Sequence, residues 1–440
     1  MSNIQHDATH APAGMTFFAT SDITALTKGR ALLTRNVTEG STIGWVPANL
    51  GIGTHGHIVD EIPFGSTGDL RIKPDFASRR TIRGVPDQPD LDFVFGDIVH
   101  TDGQPWSCCA RTILKDALAA LHDEFGITLT CAFEHEFVDR DATYPHHPFS
   151  FRSFRSAEPI GTQLLNAMVE SGLEPESWLP EYGHHQFEIT TRPSAAVEAC
   201  DRAILIRDLV RDVYSANGHR ATFSPVVEPG GSGSGVHIHF SLSDDEGRNL
   251  AWDADRPGRV SELAGSFVAG ILRDSPDMTS LFAPLTVSYQ RLVPSNWSSA
   301  RAFLGLHNRE ALVRIVPTVE IGGRDPQKQL HFEFRGADGG ANPWLLLGSL
   351  VRAGLEGLRE ELAPAEVITG ELDMEGAHRE LTALPSSLSE ALDRLEQSER
   401  VRTWLPSEYL QTFLRIKRLE VEEMAPLSLT QQCEAYADAY

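Results

Sequence analysis

The sequence predicts an α+β fold in which a small β-rich N-terminal domain precedes a larger domain whose helices back a sheet. With 440 residues, the chain exceeds what one hydrophobic core usually holds, so at least two domains are expected. In residues 16–110 short apolar runs alternate with Gly and Pro, whereas residues 111–440 mix helical periods with strand-like segments. Residues 1–15 are polar and are expected to be disordered.

The individual elements follow from these patterns in chain order. Strand candidates of the N-terminal domain are apolar runs too short for helices, at 42–46, 56–59 and 91–95. The segment 111–125 is predicted to be a helix that ends at Gly126, with an apolar stripe of Ile113, Leu114, Ala117, Leu118, Leu121 and Phe125. The helical period recurs at 194–217, 260–272 and 344–358, and the tail 387–424 is predicted to form two or three capping helices.

The most informative segment is 130–138, a predicted strand with two carboxylates on one face. Strand side chains alternate, so Glu134 and Glu136 point to the same side. Two carboxylates at this spacing repel each other unless they are solvated, share a proton or bind cations. This segment alone is equally compatible with a solvated sheet face and with a cation site.

Three further segments repeat this alternation of apolar and potentially liganding residues. They carry Gln186, Glu188 and Thr190; His237, His239 and Ser241; and His331, Glu333 and Arg335. A lone strand histidine is usually structural, but four such segments, with their apolar faces buried against helices, favour one common metal-binding surface. Carboxylates and histidines without thiolates suit Mg²⁺ or Mn²⁺, and the number of ligands allows two ions.

A glycine-rich segment and several arginines flank these strands. Residues 230–235 form either an ordinary flexible turn or a place where a carboxylate or phosphate approaches the backbone, and no P-loop lysine follows them. Arginine suits bidentate contacts to carboxylates and phosphates, although scattered arginines are more often solvated. The arginines in question are Arg291, Arg309, Arg314 and Arg335. Together with divalent ions they match phosphoryl transfer from ATP to an acid.

Composition excludes several classes of partner. Asp plus Glu outnumber Lys plus Arg by 61 to 38, and the resulting charge of −23 disfavours nucleic acids and anionic membranes. No apolar run approaches the roughly 18 residues of a membrane span, and the first residues lack a signal-peptide pattern. The chain is therefore expected to be cytoplasmic. Its five cysteines form no C-x-x-C pair and are expected to be reduced thiols.

These segments resemble the signatures of the glutamine synthetase superfamily, of the bacterial type I-like branch. The matching stretches, which extend over nearly all the chain beyond residue 100, are 133–136, 181–188, 233–241, 291–294, 308–309 with Arg314, and 333–335 leading to 341–343. The resemblance implies a β-grasp-like N-terminal domain and a catalytic domain with a curved antiparallel sheet. It also implies a homo-oligomeric ring, expected to be a dodecamer, whose active sites lie between subunits and are completed by a neighbour's N-terminal domain.

The resemblance also implies roles for individual residues. One Mg²⁺ or Mn²⁺ would be held by Glu136, Glu181 and Glu188, and a second by Glu134, His237 and Glu333. The glutamate substrate would be bound by Arg291, Arg335, Gly233 and Ser232, and ATP by His239, Ser241, Arg309, Arg314 and Lys328. In the family, ATP phosphorylates the γ-carboxylate of glutamate, and an amine then displaces the phosphate. The catalytic candidates are Arg291, Arg309 and Trp297.

Departures from the family pattern concern the amine. Where glutamine synthetases carry a glutamate that takes a proton from ammonium, this chain has Trp297 within the segment 295–299. Ser232 and His185 replace a family Asn and Gly, and the ammonium-binding Asp has no clear counterpart at 45–69. The sequence therefore predicts a γ-glutamylamide synthetase that uses a small organic amine. The alternatives are glutamine synthetase proper, which uses ammonia, and a catalytically silent structural or regulatory oligomer, against which the retained metal ligands argue.

Overall fold

The computed structural model describes residues 14–294, 297, 299–372 and 380–440. Within these residues the chain forms a smaller N-terminal sheet and a larger C-terminal sheet backed by helices, so the predicted α+β class is confirmed. The disorder expected for the terminus lies outside the described residues as far as residue 13, and strand β1 already begins at Met15. Ser295, Asn296 and Ser298, which flank Trp297, also lie outside the described residues.

The N-terminal sheet has the strand order β2-β1-β6-β4-β3, with β5 also paired to β6. Its strands are β1 (Met15–Ser21), β2 (Thr27–Leu33), β3 (Ile43–Trp45), β4 (Leu70–Pro74), β5 (Arg80–Ile82) and β6 (Leu91–His100). The predicted strands at 42–46 and 91–95 overlap β3 and β6, but the one at 56–59 was wrong, because Ile58 there forms an isolated bridge with Ile52. The β1–β2 hairpin escaped prediction because β2 is an edge strand that carries Lys28 and Arg30 and has no regular alternation of buried and exposed residues.

The larger sheet has the order β16-β13-β14-β15-β12-β7-β9-β8, and β10 and β11 also pair with β7. Its strands are β7 (Thr128–Asp139), β8 (Pro175–Pro180), β9 (Gln186–Thr191), β10 (Ser194–Ala195), β11 (Ala221–Thr222), β12 (Val236–Ser243), β13 (Leu304–Leu306), β14 (Val313–Ile315), β15 (Phe332–Phe334) and β16 (Val367–Thr369). Most pairs are antiparallel, as the family resemblance implies, but β13 runs parallel to both β14 and β16. The long strand β7 lies between β12 and β9.

Helices of the described residues pack on the apolar face of this sheet and on one another. In chain order they are α1 (Ala110–Phe125), α2 (Phe151–Ser156), α3 (Ile160–Glu170), α4 (Ala196–Ala216), α5 (Glu262–Phe282), α6 (Ser288–Arg291), α7 (Pro343–Arg359), α8 (Leu388–Gln397), α9 (Ser407–Met424) and α10 (Leu429–Ala439). Helix α4 packs directly on β7, where the ring of Phe137 lies edge-on to that of Tyr214 with 5.4 Å between centroids. The opposite face of β7, which carries the glutamates, is therefore the face left for a site.

Several helix predictions need correction. Helix α5 continues ten residues beyond the predicted end at 272, through Pro276, because Met278, Leu281 and Phe282 are buried in the core and outweigh the hydrogen bond that proline removes. Phe125 was placed on the buried stripe of α1 but is 38% exposed in its last turn. The tail prediction is confirmed by α8 and α9, whereas α2, α3 and α10 were not predicted.

A buried ionic cluster joins the first sheet to the second domain at α1. Arg111 is 2% exposed and donates hydrogen bonds to Asp75, Asp97 and Asp201 at 2.8–3.1 Å. Asp75 and Asp97 belong to the N-terminal part of the chain and Asp201 to α4. The boundary that we propose near residue 110 thus falls at the start of the helix that carries this contact. Of the helices in the described ranges, none is both long and apolar enough to cross a membrane.

Candidate active site

The sheet register brings the predicted liganding residues to one face. His237 of β12 lies directly opposite Glu134 of β7, and Glu188 of β9 lies opposite Glu136. On the far side of β12, Glu333 of β15 lies opposite His239. Directly opposed residues point to the same side of a sheet, so these side chains share the face away from α4.

One side-chain group on this face has the spacing of a metal site. Single ligand atoms of Glu134, His237 and Glu333 all lie within 4.8 Å of one another. His237 Nδ1 is 2.7 Å from Glu134 Oε1 and 3.6 Å from Glu333 Oε1. Two carboxylates and an imidazole, with no thiolate nearby, form a donor set that fits Mg²⁺ or Mn²⁺.

The remaining predicted metal ligands line an adjoining cavity of about 350 Å³, which we call the acidic cavity. Glu136 accepts a hydrogen bond from the Gly235 amide at 2.7 Å, and Glu181 follows the end of β8. Glu188 faces Glu136 across the strand pair. The predicted acid-binding residues Ser232, Gly233, Arg291 and Arg335 also line this cavity, as do Arg309 and Trp297.

The charges in the acidic cavity are unbalanced. Burial, together with the carboxylates of Glu134, Glu136 and Glu181, raises the pKa of Glu188 far above its ordinary value. Burial and the nearby Glu136 likewise raise the pKa of Glu181 to about 7. Carboxylates that resist ionisation because they face one another are stabilised by a bound cation. The donor chemistry and the charge deficit therefore both fit divalent ions.

The pKa of Glu333 is shifted in the opposite direction, downwards. Its burial would raise the pKa, but Arg335 and the histidines His237 and His239 lower it to about 2. Arg314 Nη1 donates to Glu333 Oε2 at 2.6 Å, and Arg335 Nη1 donates to Oε1. Glu333 is thus a permanently charged carboxylate that two guanidinium groups hold in place.

Arg335 also fixes the cavity's rim. Its Nε donates to the Arg309 carbonyl and its Nη2 to the Trp297 carbonyl, both at 3.0 Å. With Nη1 on Glu333, its guanidinium links a candidate metal ligand to the Trp297 segment. Sequence reasoning assigned Arg335 to the glutamate substrate and did not anticipate these contacts.

The glycine-rich segment is packed against Arg291. A Cβ on Gly233 would lie 2.5 Å from Arg291 Cγ, and one on Gly235 would lie 2.7 Å from both Arg291 Nη2 and His237 Nε2. Gln186 Nε2 donates to the Gly233 carbonyl at 2.9 Å. The glycines therefore allow an arginine and a histidine to approach a fixed loop, which differs from the simple flexible turn considered from sequence.

Three aromatic side chains form the outer wall of the acidic cavity: Phe149, Tyr182 and Trp297. Tyr182 makes edge-to-face contacts with both others, each with ring centroids 5.0 Å apart. The Trp297 amide donates to Glu310 Oε1 at 2.7 Å. Sequence analysis singled out Trp297 and missed the other two. The position of Tyr182 directly after Glu181 was an available signal, whereas Phe149 lies in a connection without a pattern.

A third region, on the other side of Glu134, holds some of the predicted ATP ligands. His239, Ser241 and Lys328 line a cavity of about 650 Å³ there. His239 Nδ1 lies 3.0 Å from His331 Nε2, and its Nε2 lies 3.5 Å from Glu134 Oε2. Arg314 is engaged with Glu333, and Arg309 lines the acidic cavity. The structure therefore brings together three of the five residues assigned to ATP.

A carboxylate and imidazole centre between an arginine-containing cavity and a lysine-containing cavity suits metal-dependent phosphoryl transfer. The chain belongs to the glutamine synthetase family. The family model for the glutamine synthetase catalytic domain matches residues 107–436, and that for the glutamine synthetase N-terminal domain matches residues 2–106. The resemblance inferred from the motifs is thereby confirmed, and the protein is an ATP-binding, metal-dependent ligase of this family.

Individual relatives differ in the nitrogen substrate that their names indicate. The chain is 36% identical over 341 residues to gamma-glutamylpolyamine synthetase GlnA3 of Streptomyces coelicolor, which covers 74% of this chain and 71% of that protein. It is 30% identical over 366 residues to type-1 glutamine synthetase 1 of Dictyostelium discoideum, and the match covers 78% of this chain and 72% of that protein. The crystal structure of a novel glutamine synthase homolog matches with a TM-score of 0.91 and 38% identity, covering 98% of this chain and 100% of that one.

Proposed function

We propose that the protein joins the γ-carboxylate of glutamate to an organic primary amine. A carboxylate oxygen attacks the γ-phosphorus of ATP, ADP leaves, and a γ-glutamyl phosphate forms. The amine nitrogen then attacks the acyl carbon, phosphate leaves and the nitrogen loses a proton, so the products are an amide, ADP and phosphate. The relative named as a gamma-glutamylpolyamine synthetase supports an amine of this kind.

The observation that carries this proposal is Trp297 at the mouth of the acidic cavity. By the family resemblance a glutamate occupies this position in enzymes that use ammonium. An indole neither accepts a proton nor supplies negative charge, but its face attracts an organic cation by about 0.5–2 kcal/mol and covers hydrocarbon. An amine with carbon atoms therefore binds more favourably at this position than ammonium, which finds neither a proton acceptor nor a negative charge there.

Within this proposal the cavity residues have distinct tasks. Arg291, which is buried and also donates to the carbonyls of Arg335 and Gly336, binds a carboxylate of glutamate. Arg335 holds Glu333 and the Trp297 segment, while Arg309 faces the transferred phosphate. Lys328, His239 and Ser241 bind the nucleotide from the neighbouring cavity.

Two sets of side chains would hold divalent ions, Glu136, Glu181 and Glu188 in one and Glu134, His237 and Glu333 in the other. When bound, such ions neutralise the charge that develops on the phosphate oxygens. The protein's own contribution at Glu333 is to keep the carboxylate ionised and aligned, through hydrogen bonds from Arg314 and Arg335.

The family also suggests an assembled, intracellular enzyme. We propose a homo-oligomeric ring in the cytoplasm, a dodecamer, in which the N-terminal domain completes a neighbour's site. Light scattering of the purified protein measures the mass directly, and a monomer with full activity would contradict this arrangement.

The test of function is amine-dependent phosphate release from ATP with glutamate fixed. Ammonium, methylamine, ethanolamine, putrescine and spermidine would be compared for the wild type and Trp297→Glu, with amide formation checked by mass spectrometry. We expect an organic amine to exceed ammonium in the wild type, and the variant to shift towards ammonium. If ammonium is the best substrate of the wild type, the protein is a glutamine synthetase, which the similarity to the Dictyostelium enzyme favours as the second candidate. Absence of turnover with every nitrogen source would favour a silent oligomer.

A further inference from the structure

We propose that Phe149, Tyr182 and Trp297 together form a binding wall for the hydrocarbon chain of the amine, so that the substrate is a chain-bearing primary amine. This inference rests on the proposed function and deepens it. We call the three side chains the aromatic rim.

The rim presents apolar surface beside charged groups without being covered by the chain itself. Phe149 is 54% exposed, and Tyr182 and Trp297 are each 52% exposed. All three line the same acidic cavity as Glu136 and Glu188. Aromatic faces next to carboxylates suit a ligand that is cationic at one end and apolar along its length.

The rim is a built surface, because its rings are fixed by contacts. Besides the edge-to-face contacts through Tyr182, the Trp297 segment is held by Glu310 at its amide and by Arg335 at its carbonyl. The amide of Phe149 donates to the Pro180 carbonyl at 3.0 Å. The three residues come from separate segments: before α2, between β8 and β9, and after α6.

The backbone supports a functional interpretation. Phe149 and Trp297 have φ angles of +55° and +51°, in the left-handed region that bulky side chains rarely adopt. Such strained positions are retained mainly where a site requires a particular side-chain direction. Here the strain places two large rings on either side of Tyr182.

Beyond Trp297 the wall continues into a further cavity of about 530 Å³. Pro294 and Leu306 supply apolar surface there, and the charged residues that line it are two carboxylates and two guanidinium groups: Glu310, Glu371, Arg301 and Arg309. A second ammonium on the chain would lose hydration there without meeting a clear excess of negative charge. Recognition therefore depends on the length of the hydrocarbon chain and does not require a second amine.

The test is a chain-length series with methylamine, propylamine, butylamine and pentylamine, and with pentane-1,5-diamine as the bifunctional partner. For the wild type we expect kcat/KM to rise by about two- to fourfold per methylene, as expected for partial burial of each group. Phe149→Ala and Tyr182→Ala should flatten this slope, and Tyr182→Phe should retain it because the ring is kept. Phe151→Ala is the matched control, since Phe151 is 78% exposed and does not line the cavity.

The outcomes separate this inference from the proposed function. If organic amines are ligated but kcat/KM is independent of chain length, or if the alanine variants keep the wild-type slope, the rim is not the binding wall and the proposed function stands. If the enzyme ligates pentane-1,5-diamine but not pentylamine, the inference is also wrong. If only ammonium is ligated, the proposed function itself is wrong. Size-exclusion chromatography of the variants supplies a second readout, because a change of oligomeric state would assign the rim to a contact between copies.

Discussion

Two buried charged regions of this chain differ in how their charges are matched. At the Arg111 cluster, a guanidinium and the ammonium of Lys115 meet the carboxylates of Asp75, Asp97 and Asp201. In the acidic cavity, the carboxylates of Glu134, Glu136 and Glu181 repel that of Glu188. The first region joins the N-terminal sheet to helices α1 and α4 through charges of both signs, whereas the carboxylates of the second suit a bound cation.

The pKa values record this difference. Although burial opposes it, the pKa of Asp75 is lowered by its hydrogen bond and charge interaction with Arg111. Burial and like charges raise the pKa of Glu188 and Glu181. These opposite shifts follow from the neighbours of each carboxylate, a cation at Asp75 and other carboxylates at Glu188 and Glu181, whereas burial raises the pKa of Asp201 despite its contact with Arg111.

The largest expected effect is on activity. Glu188→Gln removes a proposed metal ligand and should reduce kcat/KM by about three orders of magnitude, or ~4 kcal/mol of transition-state stabilisation. Because Glu188 is repelled by its neighbours, the same change should leave the metal-free protein as stable as the wild type or more so. Steady-state phosphate release and thermal unfolding in EDTA measure the two quantities. Near-normal activity would remove Glu188 from the metal site.

At the Arg111 cluster, in contrast, removal of a charged side chain should lower the stability of the protein. Arg111→Leu removes the charged partner of the buried Asp201 and should lower the free energy of unfolding by about 3 kcal/mol. The exposed pair of Arg220 and Asp141 is the control, and Arg220→Leu should change stability by less than about 1 kcal/mol. Denaturant unfolding of both variants measures the difference. Equal effects would show that the Arg111 cluster is not a structural joint.

Divalent ions should stabilise the protein through the proposed metal ligands and not through the Arg111 cluster. Mg²⁺ or Mn²⁺ at about 100 times its dissociation constant should stabilise the wild type by ~2.7 kcal/mol and raise its unfolding temperature. Glu188→Gln should lose the gain from the Glu136, Glu181 and Glu188 set and keep any gain from the Glu134, His237 and Glu333 set, while a folded Arg111 variant should show the full wild-type gain. The comparison uses unfolding scans with EDTA and with added ion. An equal gain in Glu188→Gln would place the ion elsewhere.

The smallest expected effect concerns the acid substrate. Arg291→Lys keeps the charge but loses the planar fork, so it should raise KM for glutamate about tenfold, equivalent to ~1.4 kcal/mol, with much less change in KM for ATP. Initial-rate kinetics with each substrate varied separately measure both constants. Equal changes in the two would show that Arg291 does not bind glutamate.

The sequence allowed the ligand face to be predicted because strand alternation is a local property. Once Phe133 and Phe137 are assigned to the core, Glu134 and Glu136 must point the other way, and the register observed for His237 and Glu188 follows that assignment. The contacts of Arg335 and the gathering of Phe149 at the rim depend on loops that meet only in three dimensions. The continuation of α5 through Pro276 was missed for a related reason, since burial there outweighs a local signal for helix ending.

Because the aromatic rim lies on connecting segments, its residues can be substituted without changing the strands that carry most of the proposed ligands. Most of the proposed ligands lie on strands that pair along their length, whereas Phe149, Tyr182 and Trp297 come from three connections between elements. Connections tolerate substitution better than paired strands, because fewer backbone hydrogen bonds depend on them. Under the proposed function, the residues that contact the amine and those that carry the phosphorylation chemistry would therefore lie in separable parts of the chain. A library restricted to the three rim positions would vary the amine that is accepted while the strands that carry the carboxylates and His237 stay unchanged.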